Sequence, residues 1–291
     1  MKMISYSKTV WVASIGLLVL SVSTACVRND ASNNPLKTDN EGRAGLMKHG
    51  IESNITVANL VVRYPQLRAS LELMGIDYCC GGKKPLGIAV KEAGLQWEAV
   101  QEALMEALAV QPESVKKNWA DVPLSELVDH IVLTHHVFMK EQLPRLSGLL
   151  VKVEKAHGAQ HGEMLAQLRL NYSTLRSELE AHLMKEEQDL FPLIKQIEAF
   201  SCGNGPAPVS HCRNMADPIR QMEIEHDHAG NTLATLRRLT DNYQLPSDAC
   251  PTFEALYEGL AAMEADLHEH IHLENNILFP KSAEQAATVN Y

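Results

Sequence analysis

Twice along this chain a histidine, a glutamate and a Phe-Pro pair recur at one spacing. The first copy runs from His182 to Glu186 and, after four intervening residues, to Phe191-Pro192. The second runs from His270 to Glu274 and on to Phe279-Pro280. On an α-helix, residues four apart lie on one face, one turn from each other, so each copy sets an imidazole nitrogen beside a carboxylate. Imidazole and carboxylate together are a donor set for a first-row transition metal. An acid also stands one turn before each histidine, Glu178 before His182 and Asp266 before His270, where it can accept the imidazole N–H turned away from a metal. Two such half-sites on two helices imply a dinuclear centre inside a bundle.

Each half of the repeat offers further histidines on the helix before it. One is His226, within Glu225-His226-Asp227-His228. In the other half the candidates are His130, His135 and His136. A single histidine on an apolar helix face is more often a hydrogen-bonded core residue than a ligand, so spacing alone leaves these open. His228, His268 and His272 are alternatives of the same kind, although His268 and His272 stand two residues either side of His270 and point elsewhere on the helix.

A second chemistry sits upstream, in Asp77-Tyr78-Cys79-Cys80-Gly81-Gly82-Lys83. A bond between neighbouring cysteines is strained, so Cys79 and Cys80 read as free thiols, redox-active thiols or soft metal ligands. Gly81 and Gly82 let the backbone expose both sulfurs, and Lys83 and Lys84 are expected to favour thiolate.

These residues need a scaffold. From Pro123 onward the apolar residues recur at three- and four-residue spacing over 123–156, 161–198, 215–242 and 249–285, the pattern of four long amphipathic helices. Pro144 is expected to kink the first. Gly203, Gly205, Pro206 and Pro208 break the chain between the second and third. No strand-like alternation appears. The fold class is therefore all-α, an up-down four-helix bundle over 119–285. A small helical domain over 54–112 precedes it, with the cysteine turn between its short helices and a helix over 96–109 that turns Leu104 and Leu108 inward. Residues 111–118 are polar and broken by Pro112, and read as a hinge.

The N-terminus has its own signature. Lys2 and Lys8 precede an apolar run over 10–22, and Ser23, Thr24 and Ala25 lead to Cys26, so residues 1–26 form a signal-like segment. It resembles a bacterial lipoprotein signal with Cys26 as the lipid-bearing residue. An uncleaved anchor is one alternative, and a true start near Met47 is another. Residues 27–53 read as a disordered linker. Across 291 residues the net charge is −10, which argues against a nucleic-acid binder. Six cysteines in a chain of this length are no disulfide framework, but Cys202 and Cys212 share one Gly/Pro-rich loop and can pair in an oxidising compartment.

The run Asp77 to Lys83 resembles the signature of the iron–sulfur cluster repair di-iron proteins, the repair of iron centres family, and the bundle is similar to haemerythrins. The resemblance covers about residues 54–285. It selects His136 among the three candidates, by its spacing to Glu141-Gln142-Leu143-Pro144. The repeat then closes, with 46 residues from His136 to His182 and 44 from His226 to His270. The implied metal set is His136, His182 and Glu186 from one half and His226, His270 and Glu274 from the other. It would hold two iron ions, oxo- or hydroxo-bridged, with both glutamates bridging. Oxygen carriers would have a second histidine where Glu274 stands, and a carboxylate makes the site harder and more labile. The resemblance implies repair of iron–sulfur clusters damaged by oxidative or nitrosative stress, with Cys79 and Cys80 delivering electrons, accepting iron or docking the client. It implies a repair protein or iron donor rather than an enzyme. The expected partners are damaged iron–sulfur proteins and a second copy of the chain, with a membrane only if residues 1–26 are retained or Cys26 is lipidated. The expected compartment is the cytoplasm. The rivals are a binder or sensor of oxygen or nitric oxide, and a di-iron reductase of nitric oxide or peroxide.

Overall fold

The computed structural model describes residues 50–109, 117–207 and 215–288. The signal-like segment with Cys26, nearly all of the linker, residues 111–116 of the hinge stretch, and Cys212 lie outside the described residues.

The small domain consists of α1 (Val57–Arg63), α2 (Arg68–Leu73), α3 (Leu86–Glu92) and α4 (Trp97–Ala109). Thr56 starts α1 by accepting the Asn59 N–H on its hydroxyl at 3.2 Å, a cap worth about 1 kcal/mol. Gly75, at φ +68°, ends α2; the Gly75 and Ile76 amides donate back to the carbonyls of Glu72 and Leu71.

The bundle begins with α5 (Leu124–Ile131) and continues through a π-helical turn, Val132–His136, into α6 (Val137–Lys185). Inside α6 the helical dihedrals fail at His161, and there the chain folds back on itself. The two arms run antiparallel: the Tyr172 hydroxyl donates to the Leu143 carbonyl at 2.8 Å and Arg176 to the Ser147 hydroxyl at 2.9 Å. The reversal falls where the sequence periodicity breaks, between the first two expected helices. Pro144 is accommodated with helical dihedrals on either side. A second π turn, Glu186–Leu190, leads into α7 (Phe191–Ser201). Then come α8 (Ala216–Leu239), α9 (Pro251–Leu273), a third π turn, Glu274–Leu278, and α10 (Phe279–Thr288). No strand occurs among the described residues. Cys202, at the end of α7, is disulfide-bonded.

The small domain is not a separate hinged body. One apolar core runs from Leu60, Leu67 and Leu104 into Leu143, Leu233 and Phe253 of the bundle, and Val62 joins a second cluster with Leu273, Ile277 and Phe279. Ion pairs also cross the boundary, Arg68–Glu269 at 2.7 Å and Lys83–Glu223 at 2.8 Å. Exposed pairs contribute ~0–1 kcal/mol each. A fully buried leucine contributes ~1.5–3 kcal/mol, so the shared apolar core holds the two parts together.

Candidate metal centre

The three π turns coincide with the residues whose chemistry opened the sequence. His136 closes the first turn, Glu186 opens the second and Glu274 opens the third. A π turn takes up one residue more than an α-helical turn and commonly sits at functional positions. His182 and His270 occupy the α-helical turns just before Glu186 and Glu274, and His226 projects from the middle of α8. All six side chains are buried, with exposures of 0 to 3%.

Their donor atoms form two clusters that share both carboxylates. In one, atoms of His136, Glu186, His270 and Glu274 lie within 4.8 Å of one another; in the other, atoms of His182, Glu186, His226 and Glu274 do so. Glu186 sets Oε2 at 3.4 Å from His136 Nε2 and Oε1 at 3.3 Å from His182 Nε2. Glu274 sets Oε1 at 3.1 Å from His270 Nε2 and Oε2 at 3.2 Å from His226 Nε2. Each carboxylate thus straddles the two positions. Each position draws one histidine from each half of the repeat, rather than both from one half.

The outward nitrogens explain the inward ones. His136 Nδ1 pairs with Glu187 at 2.7 Å, His182 Nδ1 with Glu225 at 2.9 Å, and His226 Nδ1 with the Asn275 side-chain oxygen at 2.8 Å. A ring that donates through Nδ1 presents a bare lone pair at Nε2. His182 Nε2 and His226 Nε2 then face each other at 3.0 Å as two acceptors. Among the described residues, His136 Nε2, both ring nitrogens of His270 and all four oxygens of Glu186 and Glu274 have no hydrogen-bond partner, although they are fully buried. Buried polar groups require partners. Four imidazoles and two carboxylates with such orphaned atoms fit a pair of divalent cations.

Glu178 and Asp266 do not take the expected places. Partners for the outward nitrogens come from neighbouring helices or from the residue after a site glutamate, because the rings swing inward from their own helix. Glu178 lines a cavity of about 290 Å³ with His182, Glu225, His226 and His228. Asp266 instead holds His135 Nδ1 at 3.0 Å. Glu187 and Asn275 each directly follow a site glutamate, a repeat-level signal that the sequence reading passed over. His130 stacks on Trp119 with ring centres 3.9 Å apart. His272 accepts from the Asn276 amide, and burial drives its pKa down to about 3, so it is a neutral spacer.

The electrostatics agree with a cation site. Burial lowers the His182 pKa, but the nearby negative charges of Glu186 and Glu274 and the hydrogen bond to Glu225 outweigh it and raise the value to about 9. Burial raises the Glu274 carboxyl, yet His270 and His226 pull it well below the usual range.

The thiol turn abuts this centre. Asn275, which holds His226 through its oxygen, also points its amide nitrogen at the Cys79 carbonyl, 3.5 Å away. Asn276 donates to the Tyr78 carbonyl at 3.0 Å, and Cys80 Sγ lies 3.5 Å from the His226 carbonyl oxygen. Lys83 and Lys84 do not attend the sulfurs; they pair with Glu223 and Glu92. Hydrogen bonding to Cys80, burial and the nearby Asp77 charge push the Cys79 thiol well above its usual pKa, opposite to the thiolate expected from the two lysines. A cavity of about 720 Å³ opens over Cys79, Cys80 and Asp77.

The family model described as the haemerythrin HHE cation binding domain matches residues 127–282, and one described as a domain of unknown function (DUF542) matches residues 53–108. The chain is 39% identical over 226 residues to the iron–sulfur cluster repair protein YtfE of Salmonella schwarzengrund (strain CVM19633), an alignment covering 78% of this chain and 95% of that protein. With the same coverage it is 40% identical to the proteins of that name from Citrobacter koseri (strain ATCC BAA-895 / CDC 4225-83 / SGSC4696) and Enterobacter sp. (strain 638).

Proposed function

This chain belongs to the family of haemerythrin-domain iron–sulfur cluster repair proteins, and we propose that it restores clusters damaged by oxidative or nitrosative stress. The observation that carries this reading is the pair of donor clusters sharing Glu186 and Glu274, with the cysteine turn hydrogen-bonded against them through Asn275. His136 and His270 would hold one iron and His182 and His226 the other, with Glu186 and Glu274 offering an oxygen to each. When bound, the irons supply one-electron chemistry and a store of labile iron. Glu187, Glu225 and Asn275 keep the imidazoles in the tautomer that presents Nε2. The buried apolar walls of Phe191 and Phe279 keep bulk water from the donors. The partners are damaged iron–sulfur proteins.

The test is reactivation of an iron–sulfur enzyme inactivated by peroxide or nitric oxide. The iron-loaded chain should restore activity and the metal-free chain should not; equal recovery with both would overturn the reading. We place this work in the cytoplasm, where such clients reside. The disulfide at Cys202 and the signal-like residues 1–26 favour the exported alternative. Fractionation of cells decides: the native chain in the soluble cytoplasmic fraction supports our placement, and a lipid-bearing Cys26 in the membrane fraction removes it.

A further inference from the structure

The thiol turn holds its two sulfurs in a defined geometry. Asp77 organises it. One carboxylate oxygen accepts the amides of Cys79 at 2.9 Å and Cys80 at 3.0 Å and the Cys79 thiol at 3.2 Å; the other accepts the Gly81 amide at 2.8 Å. The backbone winds so tightly that a Cβ on Gly82 would sit 2.7 Å from the Tyr78 carbonyl oxygen. The two sulfurs are thereby held 3.8 Å apart.

That separation matches a coordination edge. A tetrahedral metal with bonds of about 2.3 Å to sulfur places two sulfur ligands about 3.8 Å apart. With a metal–oxygen bond of about 2.0 Å, the sulfur-to-oxygen edge is about 3.5 Å, a few tenths longer than the present thiol-to-carboxylate contact. The three ligand atoms already lie within 4.8 Å of one another. Lys83 and Lys84 are committed to Glu223 and Glu92, and Arg237 across the cavity to Glu264, so among the described residues no cationic side chain attends the two sulfurs and the Asp77 carboxylate. The adjoining cavity leaves a fourth coordination position open, and on its far wall Gly230 keeps room beside Cys80, where a Cβ would come to 3.4 Å from the sulfur.

We propose that Asp77, Cys79 and Cys80 form a third cation site, which takes one borderline divalent ion such as ferrous iron at the mouth of this cavity. Binding releases two thiol protons, one along the existing contact to Asp77 and one from Cys80, and both leave through the cavity. The ion keeps its charge and no electron moves. The site touches the backbone of His226 and shares Asn275 with it, so it stands where iron passing between the bundle and a client would pause. That role rests on the repair reading given above; the site itself does not.

The experiment uses the full chain with its bundle iron loaded, titrated without oxygen with Co²⁺, whose thiolate complexes absorb by sulfur-to-metal charge transfer. One further equivalent should bind with that absorption. Cys79→Ala and Cys80→Ala should each abolish it, Asp77→Asn should weaken binding at least several-fold, and Cys250→Ser should leave it unchanged. Ferrous iron should displace the cobalt. Bundle iron content, measured in each variant, reports that the fold is intact. Absence of the absorption in the parent chain, or its persistence in either cysteine variant, overturns the site. If the absorption appears but the loaded chain repairs nothing, the site stands and the repair reading falls.

Discussion

Replacing Glu274 by alanine should empty both metal positions at once. A terminal ligand serves one ion, so its loss would leave about one iron per chain of the two a dinuclear site holds. Glu274 is placed differently, with one oxygen toward His270 and the other toward His226, and both oxygens are buried without other partners. Its loss removes a quarter of the protein donors from each position. It also removes negative charge that would balance the cations in a deeply buried site. Glu186→Ala should behave alike, for the same reason. Glu225→Ala removes only the acceptor behind His182, and should weaken metal affinity by about 10–100-fold. His157→Ala is the control, because His157 lies at the other end of the bundle near Asp248. Iron analysis of the purified variants, with helical content checked by circular dichroism, decides. One iron retained in Glu274→Ala would make that residue a terminal ligand and sink the bridging assignment.

The second large effect separates metal storage from its use. Changing Cys79 and Cys80 together to alanine should leave about two irons in the bundle, the complement of a dinuclear site, and remove most reactivation of a damaged iron–sulfur enzyme. The turn is docked by the backbone carbonyls of Tyr78 and Cys79 on Asn276 and Asn275, and Asp77 caps it through backbone amides. None of these contacts uses a sulfur, so Asn275 remains in place to orient His226. Thiol chemistry at the mouth of the cavity is lost outright. Loss of bundle iron would make the sulfurs ligands of the main centre, and undiminished repair would make the turn purely structural. Deleting the small domain would not test this partition, because it disturbs the bundle itself. The shared core through Leu60, Leu104, Leu143 and Phe253 would be cut open.

The sequence by itself determined the class of the protein and its candidate donor residues. Helical periodicity and the absence of alternation defined an all-α bundle. The repeated His-x3-Glu placed an imidazole and a carboxylate on one helix face, because a local period of 3.6 residues needs no knowledge of the rest of the chain. The two adjacent cysteines, flanked by Asp77 and two glycines, likewise announced a specialised turn. What only the tertiary structure decided is everything that crosses between helices. Which histidines share a position, His136 with His270 and His182 with His226, depends on how the four helices are packed. The acceptors behind them were misplaced for the same reason: a ring turned into the core aims its other nitrogen across to a neighbour or to the next residue of a π turn, so Glu225, Glu187 and Asn275 took the places expected of Glu178 and Asp266. Lys83 and Lys84 look like counter-charges to the thiols in a linear reading, yet long side chains follow the nearest carboxylate in space, which here is Glu223 or Glu92. The contact of the cysteine turn with the centre rests on Asn275 and His226, 146 to 196 residues away along the chain, a separation that local periodicity cannot bridge.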